Sequence, residues 1–259
     1  LIAKYITPTV IPDLAANGIN TLDCAGNCYI RYVKDDKVIF HLANKGERNT
    51  LATEKPYPAF QEAGLKVIFY LLQDILNVNK PYREIQNATG VSLGGIKNIM
   101  DVLVERNFIL PANGRRVLKN KKTLFNLWVE NYNQVLKPKL LLGRMTFRTG
   151  EQHVKWRAME LPDGMYWSGE SGANMVDSYL EPGAFDIYTE IPPANLFKTG
   201  FVKQDENGEI RIYRKFWNWR TENHLVPLIL IYADLVGSNN SRCMEMAERL
   251  LDYGLKDYK

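Results

Sequence analysis

The chain has 259 residues and a formal net charge of +4, and with 46% hydrophobic and 24% charged residues it has the balance of a globular protein large enough for two or three domains. No apolar run approaches the roughly 18 residues that span a bilayer, and residues 1–12 lack the apolar core and cleavage site of a signal peptide, which argues against a membrane protein. Cys24, Cys28 and Cys243 are too few for a disulfide framework and lack the spacing of a zinc site, so we expect reduced thiols in a cytoplasmic protein.

Residues 1–59 are predicted to form a small mixed α/β domain. A short helix is expected around Pro12–Asn17, and the polar, proline-containing stretch 46–59 is the predicted linker. Because the chain opens on Leu1, we expect its true start to be missing. Segments rich in β-forming residues predict three strands over Ile19–Leu22, Cys28–Val33 and Lys37–Leu42.

One catalytic hypothesis arises in this first block. Asp23 at a strand end, followed by a hairpin and Lys45, is loosely similar to a restriction-endonuclease core, which holds a metal with two acidic groups beside a lysine. Ala43 stands two residues before Lys45, where the second acid is needed, so a degenerate core or an unrelated sheet is favoured over a metal-dependent nuclease. The run Asp23–Asn27 is more simply a turn.

Residues 60–136, the middle block, are predicted to hold four helices and a hairpin. Apolar residues recur at intervals of three and four from Leu65 to Leu76, which predicts the first helix, and the last helix is expected over about Lys121–Leu136. Three helices followed by a hairpin in about 60 residues outline a winged helix-turn-helix. The signals that separate these elements are Lys80-Pro81, the stop at Gly90, the N-cap Ser92 and the turn Pro111–Gly114.

The middle block is also the basic part of the chain. Segment 60–126 carries ten basic and five acidic residues, whereas the remainder is nearly neutral, which suggests a surface that faces a polyanion. Small and polar residues at the start of the third helix would let it enter a DNA groove, while the second helix and the wing contact phosphates. The predicted DNA-binding residues are Arg83, Ser92, Gly94, Lys97, Asn98, Arg115, Arg116 and Lys119. The alternative is a protein-interaction adaptor whose winged helix docks a partner.

Residues 137–259 alternate strand-like and helix-like stretches and predict a C-terminal mixed α/β domain for partner or self association, so the fold class expected for the whole chain is multidomain α+β. The predicted strands are Leu140–Phe147, Asp186–Glu190, Ile210–Phe216 and Pro227–Tyr232. The predicted helices are Gly172–Leu180, Pro193–Lys198 and Ser241–Tyr253.

Two groups of residues in this last block are candidates for binding. Asp234 is predicted to follow a buried strand, a position that commonly binds ligands in α/β proteins. The favoured interpretation is nevertheless structural, as a cap or in an ion pair with Arg242. The candidate ligand or partner site is Glu170, Asp234, Arg242 and Glu245. Aromatic and basic residues alternate over 211–220, which is typical either of contact with nucleic acid or a dimer partner, or of an edge strand. The histidines at 41, 153 and 224 have neither metal spacing nor a nucleophile partner, so no catalytic residue, metal or cofactor is predicted.

Two runs carry a family resemblance. PYREIQNATGVSLGGIKNIMDVLVERNFI and LKNKKTLFNLWVENYNQVLKPKL resemble AbiEi-type antitoxins of type IV toxin–antitoxin systems, which are transcriptional regulators. The similarity extends to LDCAGNCYIR near the start and VPLILIYADLVGSNNSRCMEMAERLL near the end. It implies a bacterial winged-helix repressor rather than an enzyme, bound to inverted repeats in the double-stranded DNA of its own promoter. It also implies a companion nucleotidyltransferase toxin that is opposed indirectly. A symmetric operator would argue for a homodimer or for two copies on adjacent half-sites.

Overall fold

The structure is a computed structural model that describes residues 1–3, 6, 10–24, 26–44, 58–196, 198 and 200–259. The chain divides into two compact units, 1–56 and 57–259. Lys45 of the nuclease hypothesis and residues 46–57 of the predicted linker lie outside the described residues. Among the residues described, every helix is too short or too polar to cross a bilayer.

The first unit is a four-stranded sheet with one short helix. Its elements are β1 (Ile2–Ala3), α1 (Ile11–Ala16), β2 (Thr21–Asp23), β3 (Cys28–Lys34) and β4 (Lys37–Asn44). The strands follow the order β1-β2-β3-β4, with β1 parallel to β2 and the other pairs antiparallel. Asp35 and Asp36 turn β3 into β4 in the left-handed conformation, at φ +49° and +61°, which suits a two-residue hairpin.

Asp23 closes a turn in this unit. Its carboxylate accepts hydrogen bonds from the Ile6 N–H at 2.8 Å and from the backbone N–H and side-chain amide of Asn27, both at 2.9 Å. A carboxylate that holds backbone donors on both sides stabilises the turn conformation. The geometry at Asp23 therefore agrees with the turn interpretation.

The second unit begins with helices and a hairpin, at the positions that the apolar spacing predicts. The elements are α2 (Glu62–Gln73), α3 (Tyr82–Thr89), α4 (Leu93–Glu105), β5 (Ile109–Ala112), β6 (Arg115–Leu118) and α5 (Lys121–Asn131). A π-helical turn at Tyr132–Leu136 continues α5 and leads into the rest of the chain.

The remainder of the second unit is a mixed sheet flanked by helices. Its strands are β7 (Leu141–Phe147), β8 (Met165–Ser168), β9 (Phe185–Thr189), β10 (Val202–Gln204) and β11 (Ile210–Arg214). Its helices are α6 (Lys137–Leu140), α7 (Gly150–Val154), α8 (Gly169–Val176), α9 (Pro193–Leu196), α10 (Leu228–Val236) and α11 (Ser241–Tyr253). The sheet order is β10-β7-β11-β9-β8, in which only β11 and β9 are parallel neighbours. The observed architecture is thus mixed α/β with several sheets.

The predicted strand Pro227–Tyr232 is wrong, because this run forms the start of helix α10. Pro227 occupies the N-cap position at φ −54°, where its missing N–H costs no helical hydrogen bond. Nearly all faces of α10 are buried, so its residues are almost all apolar. The sequence of α10 therefore lacks the spacing of polar and apolar residues that distinguishes a helix from a strand. Asp234 therefore lies within a helix and not after a strand.

One hydrophobic core joins the middle block to the C-terminal helices. Phe69 of α2 stacks on Trp128 of α5, with ring centroids 5.2 Å apart, and lies 5.0 Å from Phe216. Phe125 of α5 stacks on Tyr258 at 4.7 Å. The aromatic contacts position the middle block firmly against the residues that follow the sheet.

Candidate nucleic-acid interface

A tight turn at Gly90 joins α3 to α4. Gly90 has φ +71°, a left-handed conformation that favours glycine, and its N–H donates to the Gln86 carbonyl at 2.7 Å. The Thr89 hydroxyl donates to the Ile85 carbonyl at 2.7 Å and accepts from the Val91 N–H at 3.3 Å. These bonds end α3 sharply, so α4 starts only a few residues later.

Ser92 caps the start of α4. Its hydroxyl accepts from the Gly95 N–H at 3.3 Å, which satisfies one of the free donors of the first turn. A Cβ at Gly95 would lie 3.1 Å from Val91 Cγ1 and 3.2 Å from Ser92 Oγ, whereas a Cβ at Gly94 would meet nothing within 4 Å. Glycine at 95 therefore serves local packing, while glycine at 94 faces open space.

The first two turns of α4 present one exposed face. Gly94, Lys97 and Asn98 lie on it, while the apolar positions of the helix point into the core. Leu93, at the first helical position, is also 40% exposed, and the sequence reasoning missed it. The apolar spacing gave no signal of this exposure, because Leu93 lies three residues before Ile96 and seven before Met100, which is the spacing of the buried face.

The β5–β6 hairpin is fixed to the start of α3. Asn113 and Gly114 form its turn at φ +48° and +74°. The Asn79 side chain bridges the hairpin by accepting from the Arg116 N–H and donating to the Arg116 carbonyl, both at 2.8 Å. The Arg116 guanidinium donates to the Lys80 carbonyl at 3.2 Å and lies 5.1 Å from the Tyr82 ring centroid. Arg116 is thus half-buried and holds the hairpin as well as presenting charge.

The other predicted cations are free to meet an anion. Arg83, Lys97, Arg115 and Lys119 are exposed, and among the described residues none of them takes part in an ion pair. In contrast, the nearby Lys80 pairs with Glu84 at 3.2 Å. The eight predicted residues lie on α3 (Arg83), at the start of α4 (Ser92, Gly94, Lys97, Asn98) and on or directly after β6 (Arg115, Arg116, Lys119).

Asp234 of the second predicted group is not available at the surface. Asp234 is only 2% exposed, and its carboxylate is bound inside the protein and not to Arg242. Glu170 accepts from the Gly183 N–H at 2.7 Å. On α11, Arg242 and Glu245 are exposed, and the hydrogen bond that the Tyr179 hydroxyl donates to Glu245 is the largest cause that raises the pKa of Tyr179.

Asp234 belongs instead to a buried charge network that sequence reasoning missed. Lys137 Nζ lies 2.8 Å from Asp234 Oδ1 and 3.6 Å from Asp186 Oδ2, and Arg211 Nε lies 2.5 Å from Asp186 Oδ1. Burial lowers the pKa of Lys137, but Asp234 and then Asp186 outweigh it, so this pKa is raised. The one sequence signal was a charged residue, Asp186, inside an otherwise uncharged strand.

Hydroxyl groups complete the network. Asp234 accepts from the Tyr132 hydroxyl at 2.8 Å and from the Ser168 hydroxyl at 2.5 Å, and the Tyr132 and Tyr188 hydroxyls are hydrogen-bonded to each other. Burial and the neighbouring Asp234 raise the pKa of both tyrosines well above the ordinary value. Because two carboxylates face two cations, the charges are compensated, and the network ties the π-helical turn and α6 to the sheet and α10.

A comparison with known protein families identifies one family that matches the chain. A family model described as "Transcriptional regulator, AbiEi antitoxin, Type IV TA system" matches residues 116–256. The match spans a little more than half of the chain, from β6 to the end of α11, and includes the buried charge network, whereas α3 and α4 precede it. Comparisons with curated proteins and with solved structures gave no match.

Proposed function

Because the chain belongs to the AbiEi antitoxin family, the transcriptional regulators of type IV toxin–antitoxin systems, we propose that it represses its own promoter through a winged helix-turn-helix. The motif would comprise α2, α3, α4 and the β5–β6 hairpin. The observation that carries the proposal is the exposed start of α4, which offers Gly94, Lys97 and Asn98 beside cations that have no partner among the described residues.

The start of α4 suits the major groove. The free N–H groups and the positive end of the helix dipole favour acceptors on phosphates and bases. Lys97 would donate to a guanine edge and Asn98 would pair with adenine, while Leu93 would contact a thymine methyl group. Asp101 and Glu105 occupy the exposed face further along α4, so negative charge keeps that end of the helix away from the DNA.

Phosphate contacts would fix the helix in the groove. Arg83 lies in the first turn of α3, where the first helix of such motifs crosses the DNA backbone. Arg115, Arg116 and Lys119 would follow the backbone along the wing. Because Arg116 also anchors the hairpin to α3, its loss would weaken binding both directly and by loosening the wing.

The test is a titration of duplex DNA from upstream of the protein's own gene, at two salt concentrations and with random DNA as competitor. We expect a specific complex, and the double substitution Lys97→Ala with Asn98→Ala should weaken it by about 2 to 6 kcal/mol, since each of the two base contacts contributes about 1 to 3 kcal/mol. The matched control is Lys122→Ala, which removes an exposed lysine of α5 outside the proposed interface. Equal affinity of the double variant and the control would refute the recognition-helix assignment.

A second candidate function is docking of a protein on the same surface. The observation in its favour is that Leu110 and Val117 face each other across the hairpin and are both more than a third exposed. Phosphate contacts make affinity fall steeply with salt, whereas an apolar docking surface does not. A tight complex that is insensitive to salt would therefore favour the adaptor.

The family also suggests partners. We propose that the protein acts in the cytoplasm as a homodimer on inverted repeats, and that a neighbouring nucleotidyltransferase toxin is opposed without direct contact. Sedimentation of the protein with duplexes that contain one or two half-sites measures the stoichiometry. Two protomers on the two-site duplex, and no co-purification with the toxin, are the expected results.

A further inference from the structure

An open cavity of about 840 Å³ lies between the β8–β9 edge of the five-stranded sheet and the loop 214–224. Its size is that of small-molecule sites, which range over about 300 to 1,000 Å³. None of the eight residues predicted to bind DNA lines it, and neither do the carboxylates of the buried charge network. The proposed binding of duplex DNA therefore does not involve this cavity.

Aromatic side chains and a buried lysine form its wall. Lys215 Nζ lies 5.2 Å from the Tyr166 ring centroid and 5.3 Å from the Trp217 ring centroid, and the lysine side chain is only 6% exposed. Trp219, half-buried, lines the cavity as well. Because Trp217 is only 2% exposed, the partly exposed rings of Tyr166 and Trp219 are the faces on which a planar ring can stack.

Two donors at the cavity lack acceptors. Within the described part of the chain, neither the buried Trp217 indole N–H nor the Thr221 hydroxyl has a hydrogen-bond partner, and both residues line the cavity. A buried donor without an acceptor costs about 1 to 3 kcal/mol. Both atoms are covered by protein, so they mark an unsatisfied place in the wall and not a contact that the open cavity offers.

The charges of the lining favour an anion. Lys215 is compensated by Glu190, and its hydrogen bond is the largest cause of the lowered pKa of that carboxyl. Arg214 and Arg220 are exposed at the cavity and form no ion pair with any described residue, while Asp163 is the remaining acid of the lining. Two arginines against one carboxylate leave an excess of positive charge, and guanidinium groups match phosphate oxygens in geometry.

We propose that this cavity binds a nucleotide unit, with the base on the aromatic wall and the phosphate at Arg214 and Arg220. Stacking faces and arginines without an ion-pair partner among the described residues together fit a base that carries phosphate better than a purely apolar or purely ionic ligand. Two kinds of ligand contain such a nucleotide: a free nucleotide and a single-stranded nucleic acid.

The test is calorimetry, together with tryptophan fluorescence, on the full 259-residue chain without duplex DNA. The probes are AMP, GMP, CMP and UMP, their nucleosides, inorganic phosphate, and a short single-stranded oligonucleotide. We expect at least one nucleotide or the oligonucleotide to bind with a Kd below about 1 mM, and the matching nucleoside and inorganic phosphate to bind at least about tenfold more weakly. Arg214→Ala and Arg220→Ala should each weaken binding about tenfold, whereas Arg144→Ala, an exposed arginine of β7 outside the cavity, should not.

Each result decides the proposal. Binding of mononucleotides identifies the free form, and binding of the oligonucleotide alone identifies a strand. Absence of binding by every probe up to millimolar concentration overturns the proposal, and so does binding that the arginine substitutions leave unchanged or that phosphate alone reproduces. Because no duplex is present, failure here leaves the proposed repressor function standing.

Discussion

Asp186 and Asp234 are fully buried carboxylates whose side chains depend on Lys137 and Arg211. Removing one partner of a buried ion pair costs more than the pair itself contributes, because the remaining charge stays in a poorly polarisable surrounding. The network also spans elements far apart in the sequence, so its integrity reports on the packing of α6 against the sheet and α10. Loss of a single member of the network should therefore destabilise this region strongly.

Lys137→Met should lower the free energy of unfolding by about 3 to 5 kcal/mol, because it leaves Asp234 without its cation and Asp186 with only Arg211. Urea unfolding followed by circular dichroism measures the change. The matched control is Lys139→Met, two residues along the chain, which removes an exposed pair with Glu62 and should cost less than about 1 kcal/mol. Equal losses for the two variants would show that the network does not contribute.

Alkaline pH should destabilise the protein. Burial raises the pKa of Tyr213 to about 12, and Tyr132 and Tyr188 are raised well above the ordinary value. These hydroxyls therefore contribute stability that is complete below about pH 10, the pKa of an unfolded tyrosine, and that is lost as the pH rises toward 12. Each group should reduce the free energy of unfolding by about 1.4 kcal/mol per pH unit in that window.

The measurement is the urea unfolding free energy at about pH 9 and at about pH 11. Tyr213→Phe removes one of the three groups, so it should make the dependence shallower by about 1.4 kcal/mol per pH unit. A free energy of unfolding that stays constant across this interval would contradict the burial of these hydroxyls.

At the scale of elements, α4 offers a substitution that should affect stability and binding in opposite directions. Gly94→Ala introduces a Cβ into open space, and alanine favours a helix over glycine by about 0.5 to 1 kcal/mol, so the melting temperature should rise. If α4 lies in a groove, the same methyl group should weaken duplex binding by about tenfold. Gly95→Ala is the contrasting variant, because its Cβ would press on Val91 Cγ1 and Ser92 Oγ, so crowding offsets the gain in helix propensity and the melting temperature should rise less than for Gly94→Ala. A Gly94→Ala protein that is stabilised and binds DNA normally would show that the start of α4 stays away from the duplex.

The elements also show what the sequence can and cannot predict. The helices and hairpin of the middle block follow from local signals: the apolar spacing of α2, the left-handed Gly90, the cap at Ser92 and the Asn113-Gly114 turn. Helix α10 could not be separated from a strand, because it is apolar on almost every face. The partners of Asp234 could not be predicted either, since Tyr132, Lys137 and Ser168 approach it only through the tertiary fold.

For the whole molecule, the positive charge is concentrated where the proposed DNA contacts lie. All eight predicted contacts belong to the unit 57–259, which has its own hydrophobic core. The aromatic stacking of Phe69, Trp128 and Phe216 fixes the middle block to the sheet region within that unit. The independence of 60–136 and 137–259 as separate domains stays a prediction that fragments of the chain can test.

Removal of residues 1–56 should therefore leave duplex binding intact. The fragment 57–259 is expected to unfold in a single cooperative transition and to bind the promoter duplex within about threefold of the full chain. Four phosphate-contacting cations for each protomer predict a slope of about −3 to −4 for the logarithm of affinity against the logarithm of salt concentration on a duplex that contains one half-site. Fluorescence anisotropy over a salt series measures this slope for both proteins, and Arg83→Ala should reduce its magnitude by about 1. If the fragment remains folded but loses more than about tenfold in affinity, residues 1–56 hold essential contacts, and α3, α4 and the hairpin are not sufficient for recognition.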